Sequence, residues 1–228
     1  MGAVTFSLML AACGDDGGGG SANETGAARA STGEAPTTSE EAGSTGVDGT
    51  TGAAALTPEE LVGRYVSAGC EDYPDGKGGH TYLTRDFTLT TSTWHLELAI
   101  FMDAGCATPL FTSVIDGPYT LGAGSATVAG ATEGEFAITS NVWTARQGFM
   151  ADTFTMQGCG AAPWVVDEPQ DVAGTGCIGV AHPIAECPRE YDVVALLGDD
   201  LYFGERITDL CSEAGRPAAL GAYPVVRS

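Results

Sequence analysis

The cysteines offer the most chemistry in this 228-residue chain, and the seven of them fall into two kinds by spacing. Cys13 ends the run Leu10-Ala11-Ala12-Cys13, behind the apolar stretch Val4 to Leu10. A lipoprotein signal peptidase cuts such a run before the cysteine: small side chains fit a narrow protease cleft, and the free thiol takes the acyl groups. Residues 1–12 are therefore expected to be a lipoprotein signal peptide and Cys13 an acylated anchor, held stably because two or more chains insert. An ordinary secretory leader or a stray apolar N-terminus is the alternative, and the absence of Lys or Arg before the apolar run departs from the lipoprotein pattern. Cys70, Cys106, Cys159, Cys177, Cys187 and Cys211 stand far apart, without the CxxC spacing of a zinc knuckle. In an exported chain six such cysteines predict three disulfides. Fifteen connectivities are open, and near-neighbour pairing is favoured: Cys70–Cys106, Cys159–Cys177 and Cys187–Cys211.

Other reactive residue types are present without a pattern. His80, His95 and His182 are scattered, and read as surface or hydrogen-bonded side chains rather than metal ligands. No GxSxG, HExxH or P-loop occurs. Glu133 and Glu135 could serve as the carboxylate pair of a hydrolase, but in so acidic a chain close carboxylates are expected by chance. Asp199-Asp200 beside Gly198 lacks the ligand count of a calcium loop and reads as a turn. No cofactor and no metal is expected.

The elements that would position these residues follow a period of two. Trp94, Leu96, Leu98 and Ile100 share one face of a strand, with His95 and Glu97 on the other. Leu83, Arg85, Phe87 and Leu89 share a face within 81–89, so Arg85 points at the core. A buried guanidinium needs a carboxylate, and Glu71 and Asp103 are the candidates. The trio Glu71, Arg85 and Asp103 is expected either as a structural ion pair, the favoured reading, or as a polar group at a pocket mouth. Phe87, Leu89, Trp94, Leu96, Leu98 and Ile100 could line a ligand cavity or fill a packed core; the residues alone leave both open. Further strands are predicted over 64–67, 110–115, 126–129, 135–142, 191–197, 201–203 and 223–226, with a hairpin turn at 198–200 and one short helix within 144–158.

Residues 14–56 hold eleven Gly and eleven Ser or Thr and no aromatic side chain, too little apolar surface to offset chain entropy. The block 13–56 is thus expected to be the acylated Cys and a flexible tether, reaching about 35–40 Å. Thr57-Pro58-Glu59-Glu60-Leu61 then reads as a capped helix start, Thr at N-cap, Pro at N1 and Glu at N3. Residues 57–228 form one domain, all-β in the main: short antiparallel strands with short helical segments, disulfide-stabilised, arranged as a barrel or a sandwich. Thirty acids against nine bases give a net charge of −21, which excludes nucleic-acid binding through a basic surface. No run of 18 apolar residues is present to span a bilayer.

The order of motifs resembles the adenomatosis polyposis coli down-regulated (APCDD) domain family. Gly63-Arg64-Tyr65-Val66-Ser67 matches its G-x-W/Y-x-S strand, Gly69-Cys70-Glu71 its C-E, and Thr84-Arg85-Asp86-Phe87 its T-R-x-x-F strand. Met102-Asp103-Ala104-Gly105-Cys106 with Pro109, and Gly117-Pro118-Tyr119, continue the series. Glu190 to Val194, Leu201 to Arg206, Arg216-Pro217 and Tyr223-Pro224 resemble bacterial relatives, so the likeness covers most of 61–227. Tyr65 stands where animal members often have Trp, and one domain replaces their two. The animal members are membrane-tethered extracellular antagonists of Wnt signalling. The resemblance implies a barrel-like domain with an apolar interior pocket for a lipid chain, and a Cys70–Cys106 bridge. In this bacterial-type lipoprotein only "an acyl chain or other apolar ligand" carries over. The resulting expectation is a non-catalytic lipoprotein anchored in the cell envelope, at the outer membrane or cell surface. A secreted hydrolase and a purely structural surface lipoprotein are the alternatives.

Overall fold

The computed structural model describes residues 54–74, 78–177, 181–206 and 209–228. The expected leader over 1–12, Cys13 and all but the last three residues of the tether lie outside the described residues. In chain order the elements are α1 (Pro58–Leu61), β1 (Gly63–Ser67), β2 (Glu71–Pro74), β3 (His80–Leu89), β4 (Thr93–Phe101), β5 (Pro109–Gly124), β6 (Thr132–Ala137), β7 (Ser140–Ala145), α2 (Gly148–Gln157), β8 (Pro169–Asp171), β9 (Arg189–Leu197), β10 (Asp200–Phe203) and β11 (Val225–Arg227).

Alternating side chains make β3 and β4 a half-buried pair, in register from Tyr82 opposite Phe101 to Leu89 opposite Trp94. Thr90 closes their hairpin: its hydroxyl accepts the N–H groups of Ser92 (3.2 Å) and Thr93 (2.9 Å). Pairing then runs β4–β5, β5–β6, β6–β9, β9–β10, β10–β11, β11–β1 and β1–β3, antiparallel throughout. That path returns to its start, so eight strands form a closed antiparallel barrel. At this strand number the interior is just wide enough for side chains or one small ligand.

Two barrel strands are longer than the barrel needs. β5 uses Phe111–Asp116 to pair β7, and only its later residues to pair β6. β3 likewise gives residues 80–83 to β2 and 86–89 to β1. The overhanging ends, with β7, β8 and α2, build an outgrowth with its own core.

The expected strand at 126–129 is instead a turn. The Ser125 hydroxyl accepts the N–H groups of Thr127 (3.3 Å) and Val128 (3.1 Å), an alternative to any ladder. The run 135–142 is two strands rather than one. It breaks at Thr139, whose N–H and hydroxyl both donate to the Asp116 carbonyl (2.8 and 3.0 Å); the chain keeps β5 as partner on one side and exchanges β9 for β8 on the other. The short strands β2 and β8 were not expected. Within 144–158, residues 144 and 145 finish β7 before α2 begins.

One core fills the barrel and includes Leu61, Tyr65, Phe87, Trp94, Phe136 and Phe203. The other, under α2, includes Ile100, Phe111, Trp143, Phe154 and Trp164. Three disulfides join Cys70–Cys106, Cys159–Cys177 and Cys187–Cys211, the near-neighbour pairing.

Candidate ligand site: the inward face of the barrel

Strand β4 turns Trp94, Leu96, Leu98 and Ile100 to one side, as alternation requires, but they do not share one space. Trp94 and Leu96 join Phe87 and Leu89 in the barrel core. Ile100 belongs to the outgrowth core, and Leu98 packs against both. The six residues expected to line one cavity are therefore divided where β4 runs out of the barrel.

Aromatic rings occupy the barrel interior. Phe87 stacks on Phe203 with centroids 4.5 Å apart, and Phe136 touches Phe203, Trp94 and Tyr119 at 5.6–5.8 Å. Two polar tips find backbone partners: the Trp94 indole donates to the Ala137 carbonyl (2.8 Å) and the Tyr119 hydroxyl to the Thr90 carbonyl (2.7 Å). Gly117, opposite Trp94, must lack a side chain, since a Cβ there would stand 1.8 Å from that same Ala137 oxygen.

Helix α1 closes over part of this core. The Thr57 N–H and hydroxyl both donate to Glu60 Oε2 (2.7 and 3.1 Å), and Leu61 is wholly buried. Arg227 of β11 holds the helix end by donating to the carbonyls of Val62 (2.6 Å) and Glu60 (3.0 Å), while its guanidinium lies 4.7 Å from the Tyr65 ring centroid.

Arg85 points inward and meets Glu71: Nε to Oε1 is 3.0 Å. Its Nη2 also donates to the Tyr223 carbonyl (2.7 Å). Glu71 further accepts from the hydroxyls of Ser67 (2.5 Å) and Tyr73 (2.8 Å). Burial, above all, pushes the Tyr73 phenol far above its ordinary range. Asp103, the other expected partner of Arg85, takes a different role. It accepts the N–H groups of Gly105 (3.1 Å), Ala107 (3.2 Å) and Thr108 (2.9 Å), which braces the 103–108 turn around Cys106. Those backbone donors, Ala107 first, lower its pKa.

A second buried network was not foreseen. On β9, Asp192 is wholly buried; its Oδ1 accepts the N–H groups of Val193 (2.7 Å) and Gly204 (2.8 Å), and its Oδ2 lies 3.4 Å from Arg206. Arg206 also donates to Glu190 (2.8 Å). Burial pushes the Asp192 carboxyl up, with Arg206 opposing. The signal available in the sequence was phase alone: Glu190 and Asp192 alternate in step with Val194, which lies in the barrel core.

Glu135 and Glu133 do not converge as a catalytic pair. Glu135 accepts from Arg189 (2.7 Å) and Glu133 lies 3.8 Å from Arg216. His182 approaches Asp209 and Cys211 within 4.8 Å, but Cys211 is bonded to Cys187 and offers no thiolate. A hollow of about 110 Å³ is lined by Pro118, Tyr119, Thr120, Glu135, Ala137 and Arg189. Ordinary ligand clefts hold roughly 300–1,000 Å³, so it is too small for an acyl chain.

Residues 45–154 match the family model described as Adenomatosis polyposis coli down-regulated 1. The matched span carries α1, β1 to β7 and most of α2, hence five of the eight barrel strands. Strands β9, β10 and β11, which close the barrel, lie beyond it, so the match is shorter than the likeness read across 61–227.

Proposed function

The chain belongs, through residues 45–154, to the adenomatosis polyposis coli down-regulated 1 family, and from that premise we propose that it is a non-catalytic cell-envelope lipoprotein whose barrel binds an apolar or acyl-chain ligand. The observation that carries this reading is the closed eight-stranded barrel with Tyr65, Phe87, Leu89, Trp94, Leu96 and Phe203 gathered inside. Burying hydrocarbon is worth about 0.8 kcal/mol per CH₂, so such an interior supplies affinity without polar recognition. Commitment of Glu71 and Arg85 to each other, and of Asp192 to Gly204 and Arg206, supports binding over catalysis. The lipid anchor rests on Leu10-Ala11-Ala12-Cys13, and with it the envelope location.

Stacking of Phe87, Phe203 and Phe136 favours a second reading, in which the barrel is a filled scaffold. Native mass spectrometry of the full chain carrying Cys13→Ser distinguishes the two. A ligand-binding barrel retains an acyl species or takes one up from added fatty acid. A scaffold flies as the bare polypeptide under both conditions.

A further inference from the structure

The Tyr65 hydroxyl is buried within the barrel core and, among the described residues, is the one buried side-chain polar atom without a hydrogen-bond partner. Burial raises its pKa, so it is a phenol and a donor. A buried donor left unpaired is costly, and native proteins seldom keep one. The nearby Tyr119 hydroxyl is already committed to Thr90. What covers the Tyr65 region is α1. Leu61 is wholly buried, Leu56 packs against the same core, and Arg227 spans both parts, its guanidinium over the Tyr65 ring and its donors on Glu60 and Val62. Apart from those two bonds, the segment is fixed by the Leu56 N–H to Thr132 Oγ1 (2.7 Å) and by bonds within the helix turn itself.

Resting on the acyl-binding reading above, we propose that α1 is a displaceable plug occupying the ligand's place, and that Tyr65 is the ligand's polar anchor. Leu61 and Leu56 fill the volume that the leading part of an acyl chain takes when it enters. Once the chain is seated, the Tyr65 hydroxyl donates to an oxygen of the ligand, the carboxyl or ester oxygen at the end of the chain. Arg227 is the latch, since its two bonds to α1 carbonyls must open for the plug to leave. The ligand class is therefore a single acyl chain bearing a hydrogen-bond acceptor, rather than a plain hydrocarbon.

The test uses the full chain with Cys13→Ser and palmitate as the probe, read by displacement of a fluorescent fatty acid and by thermal melting without ligand. Tyr65→Phe is expected to weaken palmitate about tenfold, the effect of one hydrogen bond. It should also raise the melting temperature of the ligand-free protein, because the unpaired hydroxyl is gone. Leu61→Ala and the milder Arg227→Gln should both tighten binding, since each loosens the plug. If the parent binds palmitate and Tyr65→Phe binds it equally, the anchor assignment is wrong while the acyl-binding reading stands. A lower melting temperature for Tyr65→Phe also overturns the anchor, by revealing a partner for the hydroxyl. Unchanged or weaker binding by a folded Leu61→Ala or Arg227→Gln overturns the plug. If neither parent nor plug variants bind palmitate, the inference falls together with the reading beneath it.

Discussion

Arg85 and Glu71 set the terms at the scale of single residues, because neither can be left alone. Their side chains are 12% and 3% exposed, so removing one partner strands the other away from water. Arg85→Ala should destabilise the fold by about 3–5 kcal/mol, whereas the double change Arg85→Met with Glu71→Leu should recover most of that loss. Urea denaturation of the single and double variants gives the comparison. His95 makes a weaker and pH-dependent contribution on the outer face. Burial opposes its charge, but Asp116 at 2.7 Å and Glu97 at 3.5 Å outweigh it, and the imidazole titrates above its ordinary 6.5. A raised cationic pKa means that the folded state holds the proton more tightly. The contribution is thus complete below about pH 6.5 and lost as pH rises through the raised value. His95→Gln should cost less than about 1 kcal/mol at pH 5.5 and nothing at pH 9, since the site is over a third exposed. The inward direction of Arg85 was legible in the sequence because phase along one strand is a local property. Its choice of Glu71 over Asp103 was not legible, since that depends on β2 pairing beside β1 on the edge of β3. Asp192 was hidden for the same reason: its partners Gly204 and Arg206 lie across a hairpin.

At the scale of elements, the barrel and its outgrowth are stabilised separately. The Cys159–Cys177 bridge ties the end of α2 to the chain that follows β8, and Phe154 packs on Phe111, Trp143 and Trp164 beneath it. Replacing both cysteines by Ala should cost roughly 2–5 kcal/mol. Faster hydrogen exchange should be confined to 148–177, with β1, β3, β10 and β11 still protected. Uniform loss of protection would mean that outgrowth and barrel unfold as one unit. Gly204 tests the β9–β10 junction, where a Cβ would stand 2.4 Å from Pro217 and 2.5 Å from Asp192 Oδ1. Gly204→Ala should therefore destabilise the fold despite the small size of the change, as thermal melting would record. Long alternating strands such as β3 and β4 were readable because each presents enough residues to establish a period. Strands β2 and β8, with four and three residues, are too short to carry one. They exist because the overhanging ends of β3 and β7 offer free ladder groups.

The whole molecule combines a closed barrel with a long acidic, glycine-rich lead-in, and the proposed anchor is Cys13. Cys13→Ser should move the protein from the membrane to the soluble fraction and remove acyl mass from the mature N-terminus. Retention in the membrane fraction would break the link between the lipobox and the envelope. The mainly β class and the three-bridge framework were legible from composition and spacing. The barrel was expected through the family resemblance; the residues alone left barrel or sandwich open, because closure is made by β11 meeting β1 across nearly the full length of the domain. The central claim is that the barrel interior accepts an acyl chain, and chain length tests it most directly. Fatty acids of eight to eighteen carbons, titrated against the full Cys13→Ser chain by displacement of a fluorescent acyl probe, should bind more tightly with each added pair of carbons. Affinity should rise until the chain fills the space that α1 vacates. Binding that is absent, or the same at every length, would contradict the claim and leave the barrel a filled scaffold.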